Sequence, residues 1–165
     1  MFRISMVIAG MVTCVAMGPA FAHGEERYVG KVAKAAAKEQ QAWGIVGNAD
    51  EVSQTVEIRM SDTMRFKPDR LTVRVGETVR FVMLNEGRLT HELVIGSKPV
   101  LDRHAELMRK FPNMEHDEPY MAHVAPGRRG EIVWKFNRAG EFDFGCLIAG
   151  HYESGMVGKV KVVAS

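Results

Sequence analysis

The stretch LTVRVGETVRFVML, residues 71–84, is two short β-type runs set on either side of a Gly76–Glu77 turn. Val, Thr, Phe and Leu dominate both runs, and these residues suit a pleated, half-buried surface. The same texture extends outward. TVEIRM (55–60) alternates upstream, HELVIG (91–96) is a short strand, and GEIVWKF (130–136) alternates again. GEFDFGC (140–146) runs into a glycine-bounded loop, and GMVGKVKVV (155–163) is the last apolar run. Short strands at this spacing, with little helix between them, argue an all-β fold, a Greek-key sandwich or barrel.

One segment breaks the pattern. Residues 97–123 read SKPVLDRHAELMRKFPNMEHDEPYMAH. Leu101, Ala105, Met108 and Phe111 fall close to helical spacing, and Pro112 stops the helix. The remainder of the insertion is loop-like and carries Met114, His116, Met121 and His123.

The 165 residues suffice for one domain, and the beginning of the chain does not belong to it. Arg3, an apolar run over 4–17 and Ala20-Phe21-Ala22 make a secretory signal peptide over 1–22, with His23 as the first mature residue. The apolar run is too short to span a membrane. Cys14 lies inside it, and the preceding Thr13 fits a lipoprotein cleavage site poorly. Residues 23–51 form a peripheral arm, partly helical or mobile, because KVAKAAAKEQQAW (31–43) is rich in helix formers but has only a weak apolar stripe. The β domain then covers 52–165. Twenty-two Lys and Arg against 20 Asp and Glu leave a formal charge of +2, with no basic stripe and no basic amphipathic helix. Nucleic-acid and membrane-surface binding therefore find no support, and the mature protein carries no membrane span.

Removal of 1–22 leaves one cysteine, Cys146. In an oxidising compartment a single thiol has no internal partner, so it is either buried and inert or bound to something. Its neighbours decide. CLIAGHYESGM (146–156) places a thiol, an imidazole and a thioether at even spacing in Cys146, His151 and Met156. Copper that cycles between Cu(I) and Cu(II) is served by two imidazoles and a thiolate with a long axial thioether. His91, which opens a β-type run after Asn85-Glu86-Gly87, is the best source of the second imidazole. Structural zinc competes poorly, since no CxxC or HxxxH is present. A Cys–His nucleophile pair also competes, but leaves Met156 unexplained.

At these residues the sequence resembles a cupredoxin, the small type 1 copper fold. MRFKPDRLTVRVGETVRFVMLNEGRLTHELVIG (64–96) resembles the first half of plastocyanin-like domains, and GEFDFGCLIAGHYESGMVGKVKV (140–162) resembles the ligand loop and last strand. MRKFPNMEHDEPYMAHVAPG (108–127) is similar to the insertion of periplasmic copper-tolerance cupredoxins of the CopI-like group. The resemblance implies His91, Cys146, His151 and Met156 as the ligands of one type 1 copper per chain. Four residues separate Cys146 from His151 and four more precede Met156, while Glu92 stands where familiar cupredoxins often have Asn. Both departures bear on the Cu–S geometry. Gly145, Gly150 and Gly155 each precede a ligand or loop position and serve either as turn punctuation or as points of close approach.

Two functions stay open, and neither is enzymatic. One is periplasmic copper handling in copper tolerance, with copper ions and a copper-transfer protein as partners. The other is soluble electron transfer to a redox partner. The handling function calls for further donors, and His23, Met114, His116, Met121 and His123 could hold a second, weaker copper. Against that, methionines often fill gaps under a long loop, and His104 and Met108 read as surface and packing positions.

Overall fold

A computed structural model describes residues 38–112, 114 and 116–164. The signal peptide, the first part of the arm and His23 lie outside the described residues.

Among the described residues, ten strands make two five-stranded sheets. Strand β1 (Ile45–Val46) is followed by a single 3₁₀ turn, then β2 (Val52–Ser61), β3 (Arg65–Lys67), β4 (Arg70–Arg74) and β5 (Thr78–Asn85). Strand β6 (His91–Gly96) leads into helix α1 (Lys98–Lys110), and β7 (Met121–Val124), β8 (Arg129–Lys135), β9 (Gly140–Gly145) and β10 (Val157–Val163) complete the fold. One sheet has the order β1-β8-β5-β2-β3 and the other β4-β10-β9-β6-β7. This is the Greek-key β-sandwich expected of the sequence.

The stretch 71–84 turns out to bridge the sandwich. β4 and β5 leave the Gly76 turn into different sheets, and each finds a parallel partner, β10 for β4 and β2 for β5. Gly76 takes φ +94, a conformation open to glycine. Its N–H donates to the Phe136 carbonyl, and Phe136 N–H returns to Glu77 O, so the crossover is stitched to the end of β8.

Alternation sets which face is buried. Along β2, Ile58 and Met60 point inward while Glu57 and Arg59 face solvent. Phe81, Trp134, Phe136 and Phe144 are fully buried between the sheets. Each such side chain contributes roughly 1.5–3 kcal/mol of burial. β6 departs from alternation: all six residues are buried, His91 and Glu92 included. The cause is α1, whose Leu101, Ala105 and Met108 cover the outer face of the second sheet together with Val94, Met121 and Leu147.

Two local expectations are corrected. Phe111 is not part of the helical stripe but 58% exposed, because the helix ends at Lys110 and Phe111 leaves the helical region before Pro112. Over the described part of 31–43 the chain is not helical: Gln41 and Gly44 pair across a turn, Trp43 is buried in the core, and β1 pairs with β8. Trp134 Nε1 donates to the Trp43 carbonyl at 3.0 Å, and the Trp43 ring meets Tyr120 edge-on. An aromatic anchor outweighs helix propensity here.

Candidate metal centre

Sheet pairing collects the donors at one end of the second sheet. β6 and β9 run antiparallel with Val94 opposite Gly145, so His91 at the start of β6 and Cys146 just past β9 come together. β10 pairs with β9 from Val157 opposite Gly145, which brings Met156 back beside Cys146. The loop between them is closed by its own backbone: Cys146 N–H donates to Met156 O, and Met156 N–H to His151 O, both at 3.1 Å. Gly150 and Gly155 both take φ +88, so left-handed turns are needed there. Gly145 is a close-approach position, where a Cβ would meet the Tyr152 ring at 2.9 Å.

Of the four residues expected at the metal, three are grouped by their donor atoms. One atom each of His91, Cys146 and His151 lies within 4.8 Å of the others. Cys146 Sγ is 3.3 Å from His151 Nδ1, and the two imidazole rings are 5.0 Å apart by centroid. Met156 is fully buried in the same core cluster as Cys146.

The site is built to present lone pairs. His91 is fully buried; its Nε2 faces Asp62 Oδ1 at 3.2 Å and its Nδ1 has no partner. With Nε2–H donating to the Asp62 carboxylate, Nδ1 carries the free lone pair. Asp62 also accepts the N–H groups of Arg88 and Leu89 at 2.8 and 3.2 Å. Those bonds, the Arg88 one foremost, hold its carboxyl below the usual carboxylate range. Asn85, buried, donates to the carbonyls of Leu89 and Val124 and accepts from Gly87 N–H, so the loop before His91 is tied on both sides.

Burial pushes the Cys146 thiol up to about 12. His151 is held below the ordinary imidazole value, first by desolvation and then by nearby His91. The centre thus presents a protonated thiol beside a His151 imidazole held below its ordinary value. A cation that accepts two Nδ1 lone pairs and displaces the thiol proton fits it, and the soft sulfur with two borderline nitrogens suits copper.

Sequence reasoning missed the supporting residues. Asp62 sits in a turn that nothing in the local sequence marks. Glu92, noted only as a departure, is 0% exposed. Its backbone N–H points at Cys146 Sγ (3.4 Å) and its Oε1 accepts Leu147 N–H at 2.6 Å. Tyr152 OH donates to Asp102 Oδ1 at 2.9 Å and Arg109 pairs with Glu153 at 3.8 Å, so α1 clamps the ligand loop from outside. Among the insertion residues, His116 and His123 come together, while Met121 packs beneath α1 and Met114 is exposed.

Comparison with known proteins agrees with this geometry. Residues 51–163 match the family of copper binding proteins of the plastocyanin/azurin kind. A copper-resistant cuproprotein CopI of Rubrivivax gelatinosus is 54% identical over 120 residues, which is 73% of each chain. A copper-resistant cuproprotein CopI of Pseudomonas aeruginosa is 33% identical over 162 residues, 81% of this chain and 89% of that protein. Reduced auracyanin of Roseiflexus castenholzii superposes with a TM-score of 0.59 at 22% identity, over 68% of this chain and 98% of that one, a likeness of fold.

Proposed function

The chain belongs to the plastocyanin/azurin family of copper-binding proteins, with copper as its cofactor, and from that premise we propose that it is an exported type 1 copper protein that handles copper in copper tolerance. In this reading residues 1–22 are removed on export to the periplasm, the β domain includes β1 at Ile45–Val46 and the Trp43 anchor before it, and 97–123 is the insertion. His91 Nδ1, Cys146 Sγ and His151 Nδ1 would hold the copper, and Met156 would offer a weak thioether beside them. Bound copper supplies a one-electron Cu(I)/Cu(II) couple. The protein's part is to fix the donor geometry and exclude water, and no catalysis is assigned to it.

The observation that carries the reading is the unpartnered Nδ1 of fully buried His91, facing a buried thiol and a second imidazole. A polar atom left bare inside a core is costly unless something comes to occupy it. The CopI relatives bear the name copper-resistant, which favours tolerance as the physiological role. Soluble electron transfer serving a respiratory or other redox partner is the second reading. Leu89, two residues before His91, and Val157, next to Met156, are both exposed, as an apolar docking surface beside the centre requires.

The test is a visible spectrum of the purified mature protein with Cu(II). Strong thiolate-to-copper charge transfer is expected in wild type and its loss in Cys146→Ala. A colourless wild type, or a coloured Cys146→Ala, overturns the assignment.

A further inference from the structure

A second group of donors lies on the other side of Glu92. Strands β6 and β7 pair with Glu92 opposite His123, and both side chains project to the outer face of the second sheet, where α1 and the insertion loop close over them. One donor atom each of Glu92, His116 and His123 lies within 4.8 Å of the others. His104, on α1, joins them: its ring is 4.5 Å from that of His116, and His116 is 5.6 Å from His123 by centroid. Four side chains from a strand, a helix, a loop and a second strand thus converge, though no local motif links them.

Their hydrogen bonding leaves the inward atoms bare. His116 Nδ1 is 3.0 Å from the Met114 carbonyl, which can only accept, so Nδ1 carries the proton and Nε2 the lone pair. That Nε2 is buried and has no partner. Glu92 Oε1 is used by Leu147 N–H, while Oε2 lies 2.7 Å from His123 Nε2 as an ion pair with no N–H aligned on it. A buried imidazole nitrogen without a partner, His116 Nε2, stands beside a fully buried carboxylate whose Oε2 faces only the His123 imidazole, and that combination favours a cation between them.

We propose that Glu92, His116 and His123, with His104 beside them, form a second metal site for a divalent cation, Cu(II) or Zn(II). The donor set is imidazole and carboxylate, which suits those ions and not Cu(I). Met121 packs beneath α1 and Met114 lies exposed, so the thioethers of the insertion do not define the site. The cation takes the place of any proton shared by Glu92 and His123.

Glu92 belongs to both neighbourhoods. Its side chain faces the second cluster while its own N–H points at Cys146 Sγ. A positive charge bound at Oε2 disfavours the more highly charged state of the nearby type 1 copper, so it raises that copper's potential. By linkage, reduction of the type 1 copper tightens the second site. The site deepens the copper-handling reading but does not require the type 1 assignment to hold.

The test uses the full mature chain and three variants: Cys146→Ser, His116→Ala with His123→Ala, and Glu92→Gln. Zn(II) and Cu(II) are titrated separately with a chelator of moderate strength present. For Cu(II), wild type is expected to bind one equivalent more than His116→Ala/His123→Ala, while that double variant keeps the charge-transfer band. Cys146→Ser should lose the band but keep the equivalent that the double variant lacks. Zn(II) added to the copper-loaded wild type should raise its reduction potential and leave the double variant unmoved. Equal metal content in wild type and the double variant overturns the second site even if the band persists; loss of the band alone overturns the type 1 reading. Should Glu92→Gln fail to fold, the His116→Ala/His123→Ala variant decides.

Discussion

Cys146 shows how one side chain sets the terms of metal uptake. Its thiol is pushed to about 12 by burial, so the folded apoprotein carries the proton that copper must displace. Through this group alone, apparent copper affinity should rise about tenfold per pH unit below the folded pKa. His151, already held neutral, adds no opposing slope near neutrality. Competition titrations between about pH 7 and 9, corrected for the chelator's own protonation, should return a slope near one; a flat profile contradicts the displacement. Stability of the metal-free protein runs the other way. The folded thiol lies above its ordinary 9.0, so its contribution is whole below that value and is lost as pH rises towards about 12. Asp62 acts on the neighbouring ligand. Asp62→Ala removes the acceptor that fixes the His91 ring and frees two loop N–H groups. Copper affinity should fall about 10–100-fold while the copper still bound keeps its charge-transfer band. An unchanged affinity would show that the ring is oriented by packing alone.

Helix α1 is the element that distinguishes the outer face of the second sheet. It buries Leu101 against Gly96, where a Cβ would stand 2.9 Å from Leu101 Cδ2, and it reaches the ligand loop through Asp102 and Arg109. Leu101→Ala should cost about 2–5 kcal/mol, read as a lower denaturant midpoint of the apoprotein at unchanged slope. A loss well under about 1 kcal/mol would mean that the helix is dispensable packing. The helix was legible in the sequence because Leu101, Ala105 and Met108 repeat at its period, and most strands were legible because their residues alternate or are β-branched. β6 was harder: its complete burial depends on a helix that follows it in the chain, so no alternation announces it. The partition of 71–84 between two sheets was equally invisible, because a turn specifies a reversal and not which partner each strand will take. Trp43 docks where a helix-forming composition pointed elsewhere, since what decides its place is the groove beside Trp134 and Tyr120.

On the scale of the whole molecule, the residues proposed as copper ligands were reached from sequence for two different reasons. Cys146, His151 and Met156 are local, one loop of fixed spacing; His91 was reached only by its place at the start of a strand. Asp62, His104 and the two-sided role of Glu92 were out of reach, because each acquires its partner through contacts across 12 to 55 residues of chain, information held by the topology and not by any window. The donors are placed by backbone bonds of the second sheet, so copper removal should leave amide signals outside 146–156 nearly unmoved, while copper in thousandfold excess over Kd stabilises the fold by about 4 kcal/mol. Broad rearrangement on copper removal would contradict a preformed pocket. β10 carries one more consequence. It lies between β4 and β9, joining the strand that opens the second sheet's share of the chain to the one that delivers Cys146. Every donor has been added to the chain by Met156, yet the sheet that holds them apart at the right distances stays open until β10 is complete at Val163. The order of synthesis therefore keeps the nascent chain a poor copper trap: its thiol and imidazoles are carried as loose side chains, and become a metal pocket only once the final strand has slid into the gap.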